Sequence, residues 1–265
     1  MKEVRHKPRV SLVISTYEWP EALDRVLDSA SRQTWPDLEI LVADDGSGPA
    51  TAAVVDAWRA RSRHPVRHVW QEDRGFRLSA SRNRAVERAS GDYLLFVDGD
   101  CLMRPRFVEA HMRYAERGWF TTGKRCYLRR GGSRRVLDFR LRPDAWPWPV
   151  LFLLLLFGGG TRAAQVAPLP RSDADRRSRA LDWDQAQGCN LGLWRDDYRR
   201  IGGFDERFES WGGEDTDLVR RLFRAGVRRL VLEHNEPVLH LWHPRRSAQS
   251  PPTREKMFAE TEKAA

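Results

Sequence analysis

The strongest constraint on this chain is a rhythm in its first 120 residues. Four short apolar runs occur there: RVSLVIST (9–16), LEILVADDGSG (38–48), VRHVWQE (66–72) and DYLLFVDGD (92–100). Between and after them lie PEALDRVLDSASRQ, TAAVVDAWRARS, SASRNRAVERASG and PRFVEAHMRYAERG. In the first of these, Leu23, Val26, Leu27 and Ala30 share one helical face, and Pro20 sits in the first turn. Gly91 reads as the stop of the third helix. The strand runs are continuously apolar rather than alternating, so they are expected to be buried on both faces. That predicts an α/β fold with a mostly parallel central sheet flanked by helices. Such sheets bind ligands beyond the carboxyl ends of their strands. Two of those ends carry acids: Asp44 with Asp45, and Asp98 with Asp100.

The rhythm breaks between residues 129 and 180. RRGGSRRVLDFRLRP is basic, WPWPVLFLLLLFGGG is aromatic and then apolar, and PLPRSDADRRSRA reads as a mobile loop. Regular patterns resume with GCNLGLWRDDYRRIGGFDERF, a helix DLVRRLFRAG, a strand VRRLVLE and the segment PVLHLWHP. The tail after Pro251 reads as polar and disordered.

Lys and Arg outnumber Asp and Glu by 46 to 37, a net charge of +9 with a pI near 10.0. This favours polyanionic partners such as nucleic acid, acidic lipid or phosphorylated ligands, or reflects only a solvated arginine-rich surface. Three cysteines make no disulfide framework and fit a reducing, cytoplasmic compartment. The amino-terminal residues lack the apolar core of a secretory signal. No run reaches the roughly 18 apolar residues of a membrane span.

Several clusters carry possible chemistry. Asp98-Gly99-Asp100 at a strand end can hold a hard divalent cation and leave sites open for phosphate oxygens, although Asp and Gly also build ordinary turns. Asp45 can accept a hydrogen bond from a base or a ribose hydroxyl, or serve a turn or helix cap. Arg74, Arg77, Arg82 and Arg84 gather around Asn83 at a helix start, either as a diphosphate site or as a basic outer face. One of His240 and His243 can add a nitrogen ligand to a metal already held by carboxylates. In SWGGEDTDL, acids in a first helical turn stabilise the helix dipole by about 0.3–1 kcal/mol. That accounts for one acid of the Glu214–Asp215 pair, but not for Trp211 or for Gly212 and Gly213. Glycines allow close backbone approach to a ligand, tryptophan offers a platform for a sugar ring, and an acid above it can take a hydroxyl proton.

Together VSLVISTY, ILVADDGS, SASRNRAVERASGDYLLFVDGD and GGFDERFESWGGEDTDLVRRL resemble the family 2 glycosyltransferases with the GT-A fold. The second half is similar to the module shared by galactosyltransferases and chondroitin polymerases. The resemblance covers residues 9–128 and 181–244. It implies a Rossmann-like GT-A catalytic domain that moves a hexose or N-acetylhexosamine from a nucleoside-diphosphate sugar, UDP-linked, to a glycan or lipid-linked saccharide. It implies that Thr16 and Tyr17 line the nucleotide pocket, Asp45 contacts the base and Arg82 lies near the diphosphate. Asp98 and Asp100 match the family's DxD, with Asp100 on a Mn²⁺ or Mg²⁺ ion, Asp98 on the ribose or a metal-bound water, and His243 completing the metal site. Asp215 matches the base of an inverting transfer, and Glu214, Trp211, Gly212 and Gly213 the walls of the sugar sites.

On this reading residues 1–128 are the nucleotide-sugar-binding half and 181–244 the acceptor-binding, catalytic half. Residues 129–180 are an insertion facing membrane or acceptor, and 245–265 a polar tail. Polysaccharide or lipopolysaccharide biosynthesis on the inner face of the cell membrane is the expected setting, with peripheral contact to anionic lipid and no nucleic acid. Two rivals stand beside it. A sugar-nucleotide nucleotidyltransferase should carry a glycine-rich, lysine-containing loop, and STYEWPEALDR has neither residue. A basic nucleic-acid binder is permitted by eleven tryptophans and many arginines, but shows no recognition motif.

Overall fold

The computed structural model describes residues 7–169, 172–177, 186, 188–210, 212–232 and 236–244. Strand β1 (Val10–Thr16) pairs in parallel with β2 (Leu38–Asp44) and β4 (Tyr93–Asp98), and β2 pairs in parallel with β3 (Val66–Trp70). Helices α1 (Pro20–Ser31), α2 (Pro49–Arg61) and α3 (Leu78–Glu87) connect them. Successive strand residues point to opposite faces. Val10, Leu12 and Ile14 therefore join a core with Leu23, Val26, Leu27, Val55 and Trp58, on the side of α1 and α2. Val13, Leu41, Leu94 and Phe96 join a second core with Ala85 and Val86 of α3. Both faces are covered, which is why the strands read as unbroken apolar runs.

The sheet continues to seven strands in the order β3-β2-β1-β4-β8-β6-β9, with β6 at Trp119–Thr122, β8 at Leu191–Trp194 and β9 at Arg228–Val231. Among the described residues only β8 runs antiparallel to its neighbours, so the sheet is mostly parallel as expected. Helices α8 (Arg195–Arg200) and α9 (Glu214–Arg224) close the α3 side through Tyr198, Leu218, Val219 and Leu222. A small second sheet, β5-β10-β7, lies at the carboxyl end of β4 and comprises Cys101–Leu102, Val238–His240 and Arg125–Tyr127.

Several expectations need correction. The helix after β4, α4, is confined to Phe107–Arg113, and the following GWFTTGKRCY supplies β6 and β7 instead. These strands are too short for periodicity to reveal. The stretch read as a mobile loop contains helix α7 (Asp173–Arg177), with the Arg176 side chain buried and its guanidinium 4.2 Å from the Tyr114 ring centre. Gly91 is not the helix stop, because α3 ends at Glu87 with Arg88 as its cap. Its role is close approach: a Cβ there would lie 2.6 Å from the Ser11 amide nitrogen.

The insertion packs on the α1 side. It forms α5 (Arg130–Asp138), α6 (Trp148–Leu154) and a π-type turn over Leu155–Gly159. Val136, Leu151, Leu155 and Val166 enter the first core. Ion pairs tie it to α1, including Arg32 to Asp144 at 2.7 Å, Asp28 to Arg142 at 2.9 Å and Asp24 to Arg140 at 3.0 Å.

Gly91→Ala forces β1 or the β4 approach to shift. It should lower stability by about 1–3 kcal/mol in urea unfolding, the usual range for overpacking. An unchanged midpoint would show that this crossing yields freely.

Candidate active site

The carboxyl ends of β1, β2 and β4 meet at one edge of the sheet, and the residues singled out in the sequence gather there. At its centre is Arg82, 2% exposed, on the buried side of α3. Its Nε donates to Ser15 Oγ at 3.0 Å and its Nη2 to Asp98 Oδ1 at 2.9 Å. Nη1 lies 3.7 Å from Glu214 Oε1, and the guanidinium carbon is 5.0 Å from the Phe204 ring centre. Arg82 therefore joins β1, β4 and α9. Of the four arginines around Asn83, it alone places its guanidinium between Asp98 and Glu214. Arg74 pairs with Glu72 in solvent, Arg77 caps α3 and donates to the Glu72 carbonyl, and Arg84 is exposed. Asn83 is an anchor for the GGFDE turn, donating to the Phe204 carbonyl at 2.9 Å and accepting from the Phe204 amide at 2.9 Å.

Asp98 and Asp100 differ in surroundings. Burial pushes the Asp98 carboxyl up, against the opposing charge of Arg82. Burial also opposes ionisation of Asp100, but the His243 hydrogen bond and the charges of both histidines outweigh it and hold Asp100 below the ordinary range. Asp100 Oδ2 lies 3.2 Å from His243 Nε2 and 3.6 Å from His240 Nε2. One ligand atom from each of these three residues falls within 4.8 Å of the others. Asp98 instead groups with Cys101 and Cys189 within the same radius. The mixed oxygen and nitrogen donors of Asp100, His240 and His243 suit Mn²⁺ and, less closely, Mg²⁺.

The WGGED stretch answers the question its composition raises. Gly212 and Gly213 both adopt left-handed backbone, with φ of 100° and 110°, a conformation strained for any residue with a Cβ. Gly213 caps α9 and its carbonyl accepts the Asp217 amide at 2.8 Å. The bend brings Glu214 inward, 6% exposed, and leaves Asp215 half-buried. Asp215 Oδ2 accepts the Gly188 amide at 3.0 Å, and Oδ1 accepts the Thr216 amide at 2.8 Å. Gly188 opens the turn leading into β8, and a Cβ there would stand 3.2 Å from Asp215 Cβ. Trp211 lies outside the described residues.

On the nucleotide side of the expectation, Thr16 is buried at the end of β1 and its carbonyl accepts the Asp45 amide. Asp45 is buried, with Oδ1 accepting Gln71 Nε2 at 2.6 Å and Oδ2 accepting the Arg77 amide at 2.7 Å. Burial raises its carboxyl above the usual range despite these bonds. Asp44 turns away to His68, at 2.7 Å, and to the Ser47 amide, and so braces the turn. Tyr17 is exposed, with its hydroxyl donating to Asp73 at 3.1 Å. Two residues at the site escaped the sequence reading. Arg125 of β7 donates from Nη1 to Cys189 Sγ at 3.5 Å, and its positive charge acts on Asp98. Neither Arg125 nor Cys189 sits in a motif, and only the second sheet brings them in.

The sequence profile described as glycosyl transferase family 2 matches residues 11–147, just over half of the chain. The chain belongs to glycosyl transferase family 2. A second profile, described as the N-terminal domain of galactosyltransferase, matches residues 171–244 and covers the WGGED module. Validoxylamine A glucosyltransferase of Streptomyces hygroscopicus subsp. jinggangensis is 33% identical over 230 residues, 84% of this chain and 53% of that protein. Chondroitin synthase of Escherichia coli is 26% identical over 254 residues, 86% of this chain and 35% of that protein. The chain thus spans about half the length of the first and about a third of the second. Among solved structures, the mannosyltransferase PcManGT from Pyrobaculum calidifontis, in complex with GDP-Man and Mn²⁺, superposes with a TM-score of 0.61 at 18% identity. That superposition covers 98% of this chain and 64% of the other. TarS of S. aureus gives a TM-score of 0.60 at 15% identity, over 96% of this chain and 43% of the other. The fold of this family 2 member is the GT-A fold.

Burial, aided by the adjoining Asp215 charge and opposed by Arg82, pushes the Glu214 carboxyl up to about 7 from an ordinary 4.5. The folded protein therefore holds this proton where the unfolded chain has lost it. Its contribution is intact below the unfolded value and is lost as pH rises from 4.5 towards about 7. Glu214→Gln removes that titration. Urea unfolding at about pH 5 and about pH 8 should show wild-type stability falling relative to the variant as pH rises. Equal changes in both proteins would refute the assignment.

Proposed function

We propose that this chain transfers a hexose or N-acetylhexosamine from a nucleoside-diphosphate sugar to a hydroxyl of a glycan or lipid-linked saccharide, with inversion. Asp215 carries the reading. It is a half-buried carboxylate at the ligand-binding edge of the sheet, and two backbone amides hold it in one orientation. Asp215 takes the acceptor proton as the acceptor oxygen bonds to the anomeric carbon. The bond from that carbon to the phosphate oxygen breaks, and its electron pair leaves with the nucleoside diphosphate. A single displacement from the opposite face inverts the centre.

With its carboxyl raised to about 7, Glu214 keeps about half of its proton occupancy at neutral pH, and its Oε2 finds no hydrogen-bond partner among the described residues. It acts as a donor to a sugar hydroxyl. Arg82 keeps Asp98 and Glu214 in place, and its Nη1 likewise has no described hydrogen-bond partner. Asp100 and His243, with His240 beside them, would hold a Mn²⁺ or Mg²⁺ ion, and Asp98 the ribose or a metal-bound water. A bound ion there supplies positive charge to the leaving diphosphate. Thr16, Tyr17 and Asp45 form the nucleotide end, with UDP as the nucleotide of choice. The names of the similar proteins support the reaction class: a glucosyltransferase, a chondroitin synthase and a mannosyltransferase bound to GDP-Man and Mn²⁺.

Asp215→Asn preserves shape but cannot accept the proton. Turnover should fall about 10²–10⁴-fold while donor affinity stays within error. A variant retaining half the wild-type rate reduces Asp215 to a helix-start acid. Asp100→Ala should abolish the Mn²⁺-dependent part of UDP or GDP binding in calorimetry. Unchanged Mn²⁺ dependence would remove Asp100 from the metal set.

A further inference from the structure

Helix α6 and the turn after it have two apolar faces, and the fold uses one. Leu151 and Leu155 are buried in the core beneath, with Phe152 and Leu154 packed half-buried against it. The other side exposes Val150, Leu153, Leu156 and Phe157, which is 81% exposed, beside the exposed Trp148. Positions 150, 153 and 157 follow helical spacing, so these side chains form one stripe rather than scattered exposures. The chain leaves helical geometry at Phe157 and turns at Gly158, with φ of 99°.

The surrounding charge is predominantly positive. Between residues 129 and 162 there are seven arginines against two aspartates, with no lysine or glutamate. Arg129 donates its amide to the Gly159 carbonyl at 2.9 Å, and its guanidinium faces the Gly158 turn. Arg130, Arg134, Arg135 and Arg162 are exposed. Arg140 and Arg142 remain more than half exposed even with their partners on α1.

We infer that this face seats the protein on an anionic lipid bilayer. Apolar and aromatic side chains would enter the interface, and the arginine rim would meet the headgroups. Seven residues of helix reach only about 10 Å, so α6 lies in the interface and cannot cross a hydrocarbon core of about 30 Å. A second copy is a poorer occupant, because it would bring the same arginines against one another.

The seat is coupled to the candidate metal ligands. Ser133 of α5 accepts the Trp242 amide at 2.6 Å, and Arg130 stands over the Trp242 ring at 5.3 Å. The Leu128 amide donates to the His240 carbonyl at 2.9 Å, and Leu128 bridges to Gly160. Docking therefore sets the Asp100–His240–His243 end of the site beside the membrane, where a lipid-linked acceptor is presented. The acceptor takes its identity from the proposed function, but docking does not. Flotation needs no turnover, so the two ideas fail separately.

The test is flotation of the full chain with vesicles of phosphatidylcholine, with and without phosphatidylglycerol. Wild type should float with the anionic vesicles, and should be released by high salt and by neutral lipid alone. Leu153→Ser, Leu156→Ser and Phe157→Ser combined alter only exposed side chains and should abolish flotation with an unchanged unfolding midpoint. Phe152 is left intact because it packs on the core. If the triple variant unfolds, Phe157→Ser alone still decides, with several-fold weaker flotation expected. Wild type that never floats, or variants that float equally, would overturn the inference. So would a wild-type dimer that the triple variant converts to monomer, since a second copy would then cover the stripe.

Discussion

The site depends on one buried cation. A guanidinium removed from water costs several kcal/mol unless charge and hydrogen bonds surround it. Arg82 meets that condition with Ser15 from β1, Asp98 from β4 and Glu214 from α9. Glu214 lies more than 100 residues along the chain from both Ser15 and Asp98, so Arg82 binds the two halves of the chain into one site. The arrangement also accounts for the acids nearby. Asp98 is retained beside the cation rather than among the histidines, and Glu214 can be buried at all because Arg82 offsets part of its desolvation.

That division leaves two free-acting carboxylates of different kinds. Asp100 lies among imidazoles that favour its charged form. Asp215 is held by backbone amides, one of them from the turn before β8. The glycine pair before α9 turns the chain so that Glu214 and Asp215, adjoining in sequence and close enough for their charges to interact, differ in burial. Glu214 is buried beside Arg82, and Asp215 is half-buried and held by the Gly188 and Thr216 amides. The insertion shows a similar economy, since one helix supplies core residues on one side and an apolar stripe with a basic rim on the other.

Much of this was legible in the residues. Continuous apolar runs separated by amphipathic stretches announced a doubly covered parallel sheet, because burial on both faces leaves no polar alternation. The acid clusters at the ends of β2 and β4, and the WGGED turn, announced the edge where the candidate site gathers. The residues hardest to read were in short elements. β6 and β7 have four and three residues, too few for any period to show. Arg125, Cys101 and Cys189 become neighbours of Asp98 only because β7, β5 and the turn before β8 converge there.

The boundary between the two kinds of knowledge follows the range of the forces. Hydrophobic periodicity, turn chemistry and helix starts are local, so they determined the strands, the main helices and the motif positions from sequence alone. Charge partnership is decided across space. Four arginines around Asn83 looked equivalent in one dimension, and packing buried one of them among acids and left Arg74 and Arg84 in solvent. His240 and His243 were likewise alternatives in the sequence, and the fold brought both to Asp100. The apolar run at 150–157 carries no polar residue that would mark a buried and an exposed face. Only the docking of α6 on the sheet's helical layer split it into a buried and an exposed face, because one side of a helix can reach the core at a time.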